Sequence, residues 1–179
     1  VMLGMALTVG RRGHIAIDLV SRLVPARFSR LHDGFVAAII AATSAMLIVH
    51  GTDFAFRAIQ SSPAMQWPMT YLFIATAAGG LLNLLYIVRP VGEPASWRGL
   101  VHVLAGIGIY LAIRYGAGLF WQEAGSAKAL MSFGGILVLL GVPIAFALLL
   151  GAFAAFAPLG DIMLVIVPQN MAGSLNSFT

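Results

Sequence analysis

Long apolar runs, separated by short clusters of polar residues, glycine and proline, organise this chain. The first run, residues 1–9, has neither a charged lead-in nor a small-residue cleavage site, so it does not read as a signal peptide. It is also too short to cross a bilayer, which takes about 20 apolar residues. After Gly10-Arg11-Arg12-Gly13 the pattern changes. From His14 to Val24, plotted on a helical period, Asp18, Ser21 and Arg22 fall on one narrow face, while Ile15, Leu19, Val20, Leu23 and Val24 spread over the other. The spacing predicts an amphipathic arm helix lying in the membrane interface, with Asp18 and Arg22 as an i,i+4 surface pair. Pro25 lacks an N–H, so it ends this helix and can open the next one at its first position.

The next helix is expected to start near Ala26 with a polar turn carrying Arg27, Arg30 and Asp33. Its apolar part, residues 35–56, gives roughly 33 Å of helix, enough for a ~30 Å hydrocarbon core. Ser61-Ser62-Pro63 closes it, and Trp67, Pro68 and Tyr71 make an aromatic approach of the kind found at headgroup level. Residues 71–88 form a second predicted span, stopped by Arg89-Pro90. Residues 91–99, with Gly92, Glu93 and Pro94, are the most loop-like interior stretch and the best domain boundary. Residues 100–121 and 130–153 are a third and a fourth predicted span. Gly141-Val142-Pro143 interrupts the fourth, where Pro143 removes the bond to Leu139 and a kink or local opening is expected. A last short apolar segment, residues 161–167, has Asp161 as a candidate N-cap and stops at Pro168.

Composition agrees with these spans. Of 179 residues, 60% are hydrophobic and 9% charged, against roughly 25% charged in a soluble domain. Such a chain cannot cover itself with polar groups, which argues against a soluble enzyme, a disordered linker or a free nucleic-acid-binding domain. The sequence pI near 10.1 does not change this, because a net charge of +4 is spread over loops between apolar runs. With no cysteine there is neither a disulfide framework nor a thiolate metal site. The fold class expected is therefore an all-α membrane protein, a multi-pass helical bundle with an interfacial arm, whose partner is the lipid bilayer and not nucleic acid.

Lys and Arg fall unevenly over the connections. Arg11, Arg12, Arg22, Arg27 and Arg30 precede the first span, Arg57 follows it, Arg89 and Arg98 follow the second, and Lys128 follows the third. This alternation puts the Arg-rich arm and the Gly92 loop on the cytoplasmic side. A fourth span would then deliver residues 154–179 to that same side. Both ends stop without a closing element, and the chain reads as a piece of a longer protein.

Candidate chemistry is sparse. His14, His32, His50 and His102 show no metal-ligand spacing and read as interfacial residues at helix ends. No carboxylate pair lies at mid-span, as a proton relay would need, and Asp53 and Glu123 read as solvated or interfacial. Thr43, Ser44 and Thr76 are expected to bond their own helix. Arg114, in the third span, either pairs with a partner helix or a lipid phosphate, or snorkels among Tyr110, Tyr115 and Trp121. Ala77, Ala78, Gly79 and Gly80 on the second span, with Gly106 and Gly108 on the third, can let backbones approach closely. No glycine-rich nucleotide loop appears, so the chain shows no ATP site, and no span presents the acid, base or nucleophile of an intramembrane enzyme. The structural candidates are Gly13, His14, Asp18, Pro25, Arg114, Gly141 and Pro143.

The stretch Gly10-Arg-Arg-Gly-His-Ile-Ala-Ile-Asp-Leu-Val20, followed by Leu23-Val-Pro25 and the Arg27/Arg30 turn, resembles the arm of the small, DctQ-type membrane subunit of tripartite ATP-independent periplasmic (TRAP) transporters. Ser61-Ser-Pro-Ala-Met-Gln-Trp-Pro-Met-Thr-Tyr71 resembles that subunit's link into its last helix. Separately, Leu137-Val-Leu-Leu-Gly-Val-Pro-Ile-Ala-Phe146 and Met171-Ala-Gly-Ser-Leu-Asn-Ser-Phe178 are similar to the opening of the large, DctM-type subunit.

The resemblance implies a fused permease, with residues 1–92 as the C-terminal part of a small subunit. Residues 93–129 would be a connecting transmembrane helix, and residues 130–179 a truncated start of the large subunit. It also implies a sodium-coupled symporter in a bacterial inner membrane. Its substrate would be an organic acid, such as a C4-dicarboxylate or sialic acid, delivered by a periplasmic binding protein. In that family the ion and substrate sites belong to the large subunit beyond this stretch, so no ligand is carried over to any residue, no cofactor is implied, and this segment is scaffold that would not transport alone. The rival expectation is a structural or assembly membrane protein with no transport cycle.

Overall fold

The computed structural model describes residues 25, 27–57, 70–90, 94–121, 128 and 130–159. The predicted arm, with Gly13, His14 and Asp18, and the predicted segment 161–167 lie outside these. All regular structure among the described residues is helical. The chain runs through α1 (Ser29–Arg57), α2 (Thr70–Val88), α3 (Trp97–Trp121), a π-helical turn (Leu130–Gly134) continuing into α4 (Gly135–Leu139), α5 (Ile144–Phe156), and a final 3₁₀ turn (Ala157–Leu159). Among the described residues two helices, α1 and α3, are long and apolar enough to cross a membrane.

The helix α1 is the centre of the bundle. At 29 residues it is about 43 Å long, and every residue from 38 to 47 is buried, so neighbours cover all its faces there. Packed against it are α2 and α3, and to a lesser extent α5. Pro25 does not occupy the first helical position. Its carbonyl instead accepts the Phe28 N–H at 2.8 Å, making a turn, and the helix starts four residues later at Ser29. Local chemistry also sets the α2–α3 joint. The Arg89 N–H still bonds the Leu85 carbonyl, but Pro90 has no N–H to extend the helix. Ser96 then caps α3, its Oγ accepting the Arg98 N–H at 3.2 Å. The same residue's N–H donates to the Val88 carbonyl at 2.9 Å, which folds α3 back against the end of α2.

The predicted fourth span is not one helix. Residues 130–156 fold into an antiparallel hairpin of two apolar helical segments, each too short to cross. The reason lies in Gly141, at φ 81°, a left-handed conformation that side chains resist. Its N–H bonds the Val138 carbonyl at 3.0 Å and the Val142 N–H bonds the Leu137 carbonyl at 3.0 Å, the two bonds of a Schellman motif. Pro143 then opens α5, its carbonyl accepting the N–H groups of Phe146 and Ala147. Glycine past the last turn followed by proline is thus a stop and a restart, which opens the run completely and is more than a kink at Pro143. The arms close on Gly134 and Gly151, where a Cβ on Gly151 would lie 3.0 Å from Gly134 Cα. The chain therefore leaves this hairpin at the end where it entered it, so residues 130–156 do not carry the chain to the opposite side as the expected fourth span would. Gly141→Ala is expected to cost about 1–2 kcal/mol, read as a lowered thermal midpoint in detergent. Gly135→Ala, whose added carbon meets nothing within 4 Å, is expected to be neutral or stabilising.

Candidate functional site

Close backbone approach organises the interior. A Cβ on Gly106 of α3 would stand 2.6 Å from the Ala38 carbonyl oxygen and 2.8 Å from Ala42 N, so α1 and α3 touch backbone to backbone. On α2, a Cβ on Gly80 would stand 2.8 Å from the Ser44 carbonyl oxygen. Ala77 and Gly79 are buried as well, whereas Ala78 is exposed and Gly108 faces open space. The small residues are therefore contact points on one face of each helix only. Thr43 and Ser44 donate to their own helix, to the carbonyls of Ile39 at 2.9 Å and Ile40 at 2.7 Å, as their spacing predicts. Their hydroxyls thus add no unsatisfied group to the seam.

One buried polar cluster joins three helices. His50 of α1 and Tyr110 of α3 share a hydrogen bond of 3.3 Å between Nε2 and Oη. Phe153 of α5 covers both, stacked on Tyr110 with centroids 5.4 Å apart and tilted on His50 at 5.4 Å. Both polar residues were expected at the interface, His50 at a helix end and Tyr110 beside Arg114. The structure corrects this, with His50 4% and Tyr110 5% exposed. The physical reason is that α3 and α5 pack over this stretch of α1, where Tyr110 bonds the His50 ring and Phe153 covers it. Deeper in α2, Asn83 is buried with its Oδ1 unpartnered among the described atoms.

A second contact lies at the hairpin tip. His32 Nε2 donates to the Leu140 carbonyl at 2.8 Å, the carbonyl next to the left-handed Gly141. Of the remaining histidines that are described, His102 packs over Gly34, with Nε2 2.9 Å from where a Cβ there would sit. Arg114 is half-buried with its guanidinium 5.8 Å from the Tyr115 ring centroid. Asp53 is held by Arg57 at 2.9 Å on an exposed turn. Among the described residues no three His, Cys, Asp or Glu side chains converge as a metal site would need. Of the sequence candidates, Gly141 and Pro143 shape the hairpin, Pro25 shapes the entry to α1, and Arg114 is not brought to any of these. The His50, Tyr110 and Phe153 cluster carries no local spacing signal, since it forms only when three helices meet.

Outward faces are apolar where a soluble protein would be wet. Leu81 and Leu85 of α2 and Leu100, Leu104 and Leu111 of α3 are exposed, along an interior without a catalytic constellation among the described residues. Together these features define a helical membrane protein whose interior is built for packing. Residues 1–95 match the family described as "Tripartite ATP-independent periplasmic transporters, DctQ component". The match takes in more than half of the chain, which therefore belongs to that family. No curated protein and no solved structure matches it. The chain is thus a TRAP transporter membrane component with transmembrane helices, an inner-membrane protein and not an enzyme. A DctQ component works with a DctM component and a periplasmic binding protein that delivers the substrate.

Proposed function

We propose that the chain is the junction of a fused small-plus-large TRAP permease, a multi-pass segment of a sodium-coupled symporter for an organic acid such as a C4-dicarboxylate or sialic acid. Residues 1–92 are the end of the small subunit, residues 93–129 the connecting helix and residues 130–179 the start of the large one. One observation supports this reading more than any other. The hairpin beyond the DctQ match is seated on a DctQ helix, through Phe153 against His50 and Leu140 against His32. That contact is what a scaffold bracing a covalently attached large subunit needs. In this reading α2, whose 19 residues reach about 28 Å, crosses beside α1 and α3.

We assign no sodium ligand here. The described carboxylates, Asp33 and Asp53, are not buried, and Asp53 is bound to Arg57. The coupling ion and the substrate belong to the rest of the large subunit. The test is uptake by the full gene product in vesicles with its cognate binding protein. Uptake is expected to require both a sodium gradient and that protein, and uptake indifferent to both overturns the reading. A reporter fused after Gly92 is expected to behave as cytoplasmic, and periplasmic activity there inverts the orientation.

A further inference from the structure

Four arginines from three segments meet at one end of the bundle. Arg27 precedes α1, Arg30 lies in its first turn, Arg89 follows α2 and Arg98 lies in the first turn of α3, all of them exposed. Helix register sets them at one level. Gly34 lies against His102, one turn beyond Arg30 and Arg98 respectively, and Gly99 lies against Val88, the residue before Arg89. Asp33 is the one acidic residue described at this end, whereas at the opposite end Arg57 is already bound to Asp53. A concentrated positive field therefore stands on one rim of an apolar bundle.

The rings beside these arginines make a second, independent observation. Arg27 holds its guanidinium 4.7 Å from the Phe28 ring centroid, and Arg98 holds its own 6.0 Å from the Trp97 ring. Both rings are themselves exposed, Trp97 at 71%. A guanidinium resting on a ring keeps its N–H fork free for a phosphate, for which its geometry is suited. Exposed Phe and Trp beside Leu31, Leu100 and Val101, all exposed too, need hydrocarbon around them.

We propose that this rim binds anionic phospholipids, with the headgroup phosphates on Arg27 and Arg98 and the upper acyl carbons against Phe28 and Trp97. A free phosphate ion meets the charge but not the rings, so the occupant is a lipid. The proposal rests on the helices crossing a membrane and is independent of the fusion, the sodium coupling and the substrate.

The test uses the full chain in a neutral detergent, titrated with phosphatidylglycerol or phosphatidylcholine and read by native mass spectrometry. Phosphatidylglycerol is expected to bind more tightly, and to lose affinity as salt rises from low to physiological. Each basic residue near a membrane surface is worth about fivefold. Arg27→Gln with Arg98→Gln should therefore weaken phosphatidylglycerol about thirtyfold and leave phosphatidylcholine unchanged, while Arg57→Gln changes neither. Equal affinity for the two lipids overturns the proposal, as does a salt-independent preference or one that survives the double substitution. Displacement of phosphatidylglycerol by inorganic phosphate at equal concentration would make the rim a free-anion site and overturns it as well. Loss of uptake with lipid preference intact would count against the transporter reading alone.

Discussion

Replacing Gly106 with leucine is expected to prevent α1 and α3 from packing and to remove most of the monodisperse protein recovered after gel filtration in detergent. The atoms that a side chain would meet are the Ala38 carbonyl oxygen and Ala42 N, with the Ala41 methyl group nearer still. The first two are backbone atoms of the fully buried stretch of α1, so no rotamer change makes room and the helices have to separate. Extra methylenes in a packed core cost about 1–3 kcal/mol where side chains can shift. Here the displaced contact runs along the α1–α3 seam, against a total stability on the order of 5–15 kcal/mol. Gly106→Ala should give an intermediate loss in thermal midpoint. Gly108→Leu, with nothing within 4 Å of its added carbon, should purify like the parent. A Gly106→Leu protein with the parent's yield and midpoint would mean that α1 and α3 do not meet at that position.

The contrast between Gly106 and Gly108 shows where sequence reading stops. Both glycines lie in the same apolar run and both suggest close packing, but two residues turn a helix by about 200°, so only one faces α1. Which face is inward depends on neighbours that a uniformly apolar helix does not announce. The long helices themselves are legible, because a run of about 20 apolar residues has few other solutions. The expected runs 35–56, 71–88 and 100–121 lie within α1 and α3 or coincide with α2 to within a residue. Their starts shift for local reasons, the Ser96 cap moving α3 three residues earlier than its apolar run.

Residues 130–153 mislead in a different way. Their hydropathy is continuous, yet Gly141 and Pro143 are a C-terminal glycine and a following proline, the signature of a helix end. Reading the lost bond at Pro143 gives a kink or local opening, whereas reading Gly141 as a helix-ending residue gives a turn. The Gly134 to Gly151 contact that closes the hairpin depends on that turn. The polar cluster was hidden for a third reason. His50 and Tyr110 are 60 positions apart, and a lone polar residue in an apolar run has no sequence partner to suggest what it bonds.

Phe153→Ala is expected to be the costliest truncation in the hairpin, by about 3–5 kcal/mol, read as a fall in thermal midpoint or in the denaturant needed to unfold the protein in micelles. Phe153 is fully buried and lies against both His50 and Tyr110. Its loss leaves a void between α1, α3 and α5 and exposes one side of the hydrogen-bonded pair. Phe153→Leu, which keeps most of the volume, should recover much of the loss. Tyr110→Phe removes the bond to His50 while keeping the ring, and should cost about 1 kcal/mol. The combination separates two roles for the phenylalanine. If Phe153 only fills space, the two losses add. If it also excludes water from the His50–Tyr110 bond, Phe153→Ala weakens that bond first and Tyr110→Phe then costs less than it does alone. A midpoint that hardly moves in Phe153→Ala would mean that the hairpin is not seated on α1 and α3. The bracing proposed for the fused large subunit would then lose its principal contact.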